Sequence, residues 1–114
     1  MNIGALKQML EQGQDNLLLR FGLGKALLDA NMASEAIEHF QQALIFDPHH
    51  SASWKLLGKA YANSGQLDDA ITTYTHGIAM AEQKGDIQAA KEMKVFLKRA
   101  TNTLSTISAI KKPE

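Results

Sequence analysis

Lysines, four histidines and one pair of adjacent carboxylates are the side chains of this 114-residue chain with chemistry in reach, and their spacing gives none of them a catalytic setting. Phe21-Gly22-Leu23-Gly24-Lys25 has the look of a phosphate-cradling loop. Such a loop needs wider glycine spacing, a Ser or Thr after the lysine and a strand before it. Here Ala26 follows Lys25 inside a helical pattern, so the glycines read as core packing. His39, His49, His50 and His76 show no i, i+4 pair on a helix and no carboxylate at motif spacing, so no zinc or nickel site is implied. Asp68-Asp69 falls at a helix start, where carboxylates face the positive end of the helix dipole and need no catalytic role. The chain has no cysteine, which excludes disulfides, thiolate catalysis and cysteine-ligated metal. The expectation is a non-enzymatic protein with no cofactor, and the lysines matter for the surface they form.

The elements that carry them belong to one globular domain: 45% of residues are hydrophobic and 21% charged. Only Pro48 and Pro113 interrupt helix formation. The N-terminus lacks the apolar run and cleavage site of a secretory signal, and no stretch is apolar enough to span a membrane. The expected location is therefore cytoplasmic. Net charge is zero but uneven: residues 1–83 carry five Lys/Arg and nine Asp/Glu, residues 84–114 seven and three.

A period of 34 organises the chain. Leu23-Gly24, Leu27, Ala36, Phe40 and Ala43 recur as Leu57-Gly58, Tyr61, Ala70, Tyr74 and Gly77. A fixed period with matching small and large positions marks one supersecondary unit, copied and stacked. Each copy reads as a helix pair. The first has Asp15 or Asn16 capping a helix over 17–30, a turn at Asn31-Met32, and a second helix from Ser34-Glu35 to Phe46, stopped by Asp47-Pro48. The second has Ser51 capping a helix to Asn63, a left-handed Gly65, and a partner helix over 67–83. Mid-helix Gly24 and Gly58 cost about 1 kcal/mol each against alanine, a cost that implies close helix approach, with Ala36 and Ala70 facing them and Phe40 and Tyr74 between neighbouring units.

The pattern Trp54, Leu57-Gly58, Tyr61, Ala70, Tyr74, Gly77 resembles the tetratricopeptide repeat, and Leu23-Gly24, Leu27, Ala36, Phe40, Ala43, Pro48 resembles a second copy. Two departures stand out: Arg20 occupies the place of Trp54, and Glu82 the place of Pro48. The resemblance implies an all-α superhelix of about six helices. It divides into a half-repeat over 2–13, repeats over 17–50 and 51–84, a half-repeat or capping helix over 86–106, and a frayed tail over 107–114. Leu6 and Met9 lie one period before Phe40 and Ala43. A two-residue insertion at Lys84-Gly85 brings Ala90, Met93 and Leu97 to the places of Trp54, Leu57 and Tyr61, after an Asp86 cap.

In this family the first helix of each pair lines a concave groove that holds a peptide or a partner's helix. Carried over, the groove positions are Leu18, Phe21, Lys25, Leu28 and Asp29, then Ala52, Lys55, Lys59, Ala62 and Asn63, then Gln88, Lys91, Val95 and Lys98. Lys25 should neighbour Lys59, and Lys55 should neighbour Lys91, giving a basic row beside an apolar patch of Phe21 and Leu28. Such a groove suits an acidic segment with one or two apolar anchors. The variant of the family that grips a C-terminal carboxylate is not matched, since Phe21 stands where it needs a lysine and Leu56 where it needs an asparagine. The expected function is an adaptor or scaffold that binds a protein or peptide, without a membrane partner. Self-association as a homodimer through Trp54, Phe96, Ile107 or Ile110 is the alternative. Nucleic-acid binding by Lys91, Lys94, Lys98 and Arg99 is the weaker third, because net charge is near zero and aromatics are few.

Overall fold

Left-handed residues cut this chain into helices. Gly13, Asn31, Gly65 and Gly85 have φ between 61° and 90°, and each closes a helix end. At all four ends the next N–H bonds back across the turn: Gln14 to the Met9 carbonyl (3.1 Å), Met32 to Leu27 (2.9 Å), Gln66 to Tyr61 (2.8 Å) and Asp86 to Ala81 (2.8 Å). This is the Schellman closure, which satisfies carbonyls the helix leaves orphaned. The remaining junction uses Asp47, extended before Pro48 as the proline ring requires.

The computed structural model describes residues 2–111. These form α1 (Ile3–Glu11), α2 (Leu17–Asp29), α3 (Ala33–Phe46), α4 (Ser51–Asn63), α5 (Leu67–Lys84) and α6 (Ile87–Lys111), an all-α architecture with no strand among the described residues. Asn2, Asn16 and Asp86 cap α1, α2 and α6 by accepting from the N–H groups of Ala5, Leu19 and Ala89. Ser51 does not cap α4. It is the first residue of the helix, and its hydroxyl is buried without a partner. Helix α6 runs through Lys111, into the stretch from residue 107 expected as tail; residues 112–114 of that tail lie outside the described residues.

Each helix packs on the next, and α2, α4 and α6 also touch one another in sequence, whereas α3 and α5 do not meet. Contact among the inner helices and none between α3 and α5 curves the stack, with α2, α4 and α6 on the inner, concave face. The core has two centres. Leu23, Leu27, Ala36, Phe40 and Leu57 form the first, against which Ile3, Leu6 and Leu10 of α1 pack. Tyr74, Ala81, Ala90 and Met93 form the second, with Trp54, Phe96 and Leu97 at its margin.

The glycines face rings, not the alanines expected from the sequence. A Cβ on Gly24 would lie 2.8 Å from the Phe40 ring, and one on Gly58 within 2.6 Å of the Tyr74 ring. The aromatic of each pair's second helix packs directly against the glycine of its first. Ala36 and Ala70 are fully buried nearby. We expect Gly58→Ala to destabilise the fold by about 1–3 kcal/mol, as over-packing does, although alanine is the better helix former by about 1 kcal/mol. Urea denaturation checks this.

Candidate functional site

The concave face begins at α2, a helix apolar on more than its core side. Leu19, Leu23 and Leu27 point inward, yet Leu18 at 78% exposure is the most exposed large apolar side chain among the described residues. Leu18, Phe21, Gly22, Lys25, Ala26 and Asp29 line a depression of about 570 Å³ along this helix. Phe21 in its wall is flanked by two rings: it lies 6.1 Å from Phe40 and meets His50 edge-on at 5.0 Å. Leu28 is not part of this surface. It is 7% exposed and belongs to the first core centre, because its place on α2 turns it toward Leu57 and Ala60.

The lysines do not form one uniform row. Lys55 of α4 bonds to Glu92 of α6 at 2.9 Å, so its cross-groove partner is a carboxylate and not Lys91. Lys55 and Gln88 both donate to Glu92 and hold its carboxyl below the usual carboxylate range. Lys25 lies 3.9 Å from Asp29, one turn along α2. Lys59, Lys91 and Lys98 are exposed, with no carboxylate within 4.0 Å among the described residues. Val95 is half exposed between Lys91 and Lys98, and Asn63 lines a polar notch with Asn31 and Glu35 at the hairpin edge. The α2 depression is thus largely apolar, whereas the exposed side chains of α4 and α6 include lysines without a carboxylate partner.

No three His, Asp or Glu side chains converge to hold a metal among the described residues. No helix among them is long and apolar enough to cross a membrane. On α6, Lys94 bonds to Glu82 and Arg99 lies 5.8 Å over the Phe96 ring, so part of the basic stripe is already engaged.

Stacked helix pairs around a concave inner face define a helical-repeat protein. The chain belongs to the tetratricopeptide repeat family, whose model matches residues 27–93. It is 52% identical over 99 residues to the TPR repeat-containing protein PA0015 of Pseudomonas aeruginosa, spanning 87% of this chain and 94% of that one. Among solved structures it resembles protein BPP2914 from Bordetella parapertussis, with a TM-score of 0.80, 38% identity, and coverage of 97% of this chain and 93% of that one. It also resembles a tetratricopeptide repeat domain protein from Salinibacter ruber, with a TM-score of 0.70, 28% identity, and coverage of 77% and 98%. Proteins of this family are typically non-enzymatic scaffolds.

Two polar contacts were missed from sequence, and the departure at Arg20 was their signal. Arg20 grips the Asp15 carboxylate through Nε (2.8 Å) and Nη2 (2.9 Å), and its Nη1 donates to His39 Nδ1 at 3.1 Å. A guanidinium can only donate, so Nδ1 accepts and the neutral ring carries its hydrogen on Nε2, 3.7 Å from Glu38. Burial pushes the His39 pKa below histidine's ordinary value of 6.5, and Arg20 adds to this. Burial lowers His50 likewise, where Nδ1 shares a 2.7 Å hydrogen bond with Ser53. Above 6.5 both rings are neutral whether the chain is folded or not. Below it the unfolded chain takes up protons first, so stability is lost as pH falls through the lowered folded values. Urea midpoints should therefore drop from pH 7.5 to pH 5, and His39→Gln should flatten that slope.

Proposed function

We propose that this protein is an adaptor whose concave groove holds an extended segment of a protein partner, acidic in character, without catalysing a reaction. The carrying observations are the open depression on α2 lined by Leu18, Phe21 and Lys25, and the exposed Lys59, Lys91 and Lys98 on α4 and α6. Unneutralised cations on a concave surface steer and select anionic partners. An exposed apolar cleft supplies the burial that charge alone does not.

A second reading is favoured by apolar side chains away from the groove. Ile45 is 70% exposed and Phe46 48% at the end of α3, and Ile110 is 77% exposed near the end of α6. These could join two copies of the chain. Trp54 and Phe96 contribute less to such a contact. Trp54 donates its indole N–H to the Pro48 carbonyl and packs on His76, and Phe96 is tilted against Tyr74. Sedimentation over a range of concentrations decides this reading, and a strict monomer removes it.

For the groove, Lys59→Glu combined with Lys98→Glu should release partners that co-purify with the chain from its own cells, while helical circular dichroism stays unchanged. Partners retained at wild-type levels by that double variant would exclude the groove as the binding surface.

A further inference from the structure

We infer that α1 is a strap over a helix-docking seat at the first end of the stack, and that an amphipathic helix of a partner protein takes this seat when α1 lifts. The partner helix is apolar at i, i+3 and i+7 and basic at i+4. The seat is distinct from the concave surface, since no α1 residue lines the α2 depression.

Helix α1 itself shows what the seat accepts. Ile3, Leu6 and Leu10 stand at i, i+3 and i+7, which places them on one helix face. All three pack against the core centre of Leu23, Leu27, Ala36 and Phe40. Lys7, at i+4, reaches across to the Glu35 carboxylate of α3. No backbone hydrogen bond joins α1 to another helix among the described residues. Side chains alone therefore hold it, and any helix with the same four positions offers the same contacts.

The hold is weak. One period on, the counterpart of α1 is α3, which packs between α2 and α4 and buries Ala36, His39, Phe40 and Ala43. The α1 backbone approaches α2 alone, and none of its residues is fully buried. The Lys7–Glu35 pair is partly exposed on both sides, a setting in which an ion pair adds little. Nine residues are too few to remain helical without a neighbour, so lifting and unfolding of α1 are one event. The chain after it is fixed independently. Gln12, Gly13 and Gln14 are exposed, and Gly13 has φ of 90°. Directly beyond them, the Asp15–Arg20 bonds and the Asn16 cap pin the chain to the first turn of α2. Lifting α1 thus opens the seat and leaves α2 in place.

A tethered strap lowers a partner's affinity by the fraction of time the seat is open. Weakening α1 should accordingly strengthen binding in trans. The test titrates isotopically labelled full chain with a synthetic peptide of residues 2–12, followed by NMR. The peptide should shift Leu23 and Glu35, and bind the Leu6→Ser chain at least about tenfold tighter than the wild-type chain. Lys7→Glu in the chain loosens α1 through Glu35 alone and should tighten peptide binding about two- to fivefold, so the result does not hang on one variant. Glu35→Lys in that chain should weaken the peptide by a similar factor, and a peptide carrying Lys7→Glu should recover it. A second peptide, keeping only Ile3, Leu6, Lys7 and Leu10 among alanines and glutamines, should bind like the first, and one with Leu6 and Gln8 exchanged should not. Amides of α1 should exchange with solvent at least about tenfold faster than those of α3. Equal exchange in α1 and α3, equal affinity for the wild-type and folded variant chains, or shifts confined to other helices would each overturn the proposal.

Discussion

The fit of an aromatic ring onto a bare stretch of helix governs this structure. Phe40 on Gly24 and Tyr74 on Gly58 leave no room for even a methyl group between the two helices of each pair. Packed interiors do not deform gradually, so this contact fixes both the separation of a pair and the rotation of its helices. The same device recurs at the next interface in another form, where a Cβ on Gly77 would strike Met93 and Trp54 at 2.7 Å. Once α5 is set against α4 and α6 in this way, the inner helices are brought into contact and the outer ones are held apart.

That explains why the fold was legible in the sequence. Close approach demands glycine, and the ring that exploits it must recur with it, so the architecture is written as residue types at fixed separation. The turns are written too, but with more freedom: Asn31 does for the first pair what Gly65 does for the second, since either residue tolerates the left-handed conformation. Helix starts were less legible. Ser51 has a capping side chain, yet it sits one residue inside α4, a shift that propensity alone does not report.

Which lysines stand beside carboxylates was not legible in the sequence. A period places Lys25 beside Lys59 and Lys55 beside Lys91, because it knows only equivalent positions. Ion pairing depends on non-equivalent ones. Glu92 stands one residue past the groove position of Lys91, and Asp29 one turn past Lys25. Glu92 was invisible to a comparison of repeat with repeat, and Asp29 was placed by it without its pairing to Lys25. The clasp of Asp15, Arg20 and His39 was hidden for the same reason, since it exists only in the copy that breaks the pattern.

The small number of units then bears on how such a groove works. Three inner helices offer about six residues of extended partner a place to lie, on the geometry of packed helices and strands. That is far less surface than a stable interface of about 1,600 Å² requires. Surface charge adds little energy per pair but much to the rate and direction of encounter. On the proposed reading, a short groove with an apolar depression on α2 and lysines without a carboxylate partner on α4 and α6 is suited to rapid, reversible capture. Lasting attachment would need a second contact on the same partner, because linkage raises effective concentration without any new surface here. The exposed Ile45 and Phe46, outside the groove, are where a second contact would bury the most apolar area.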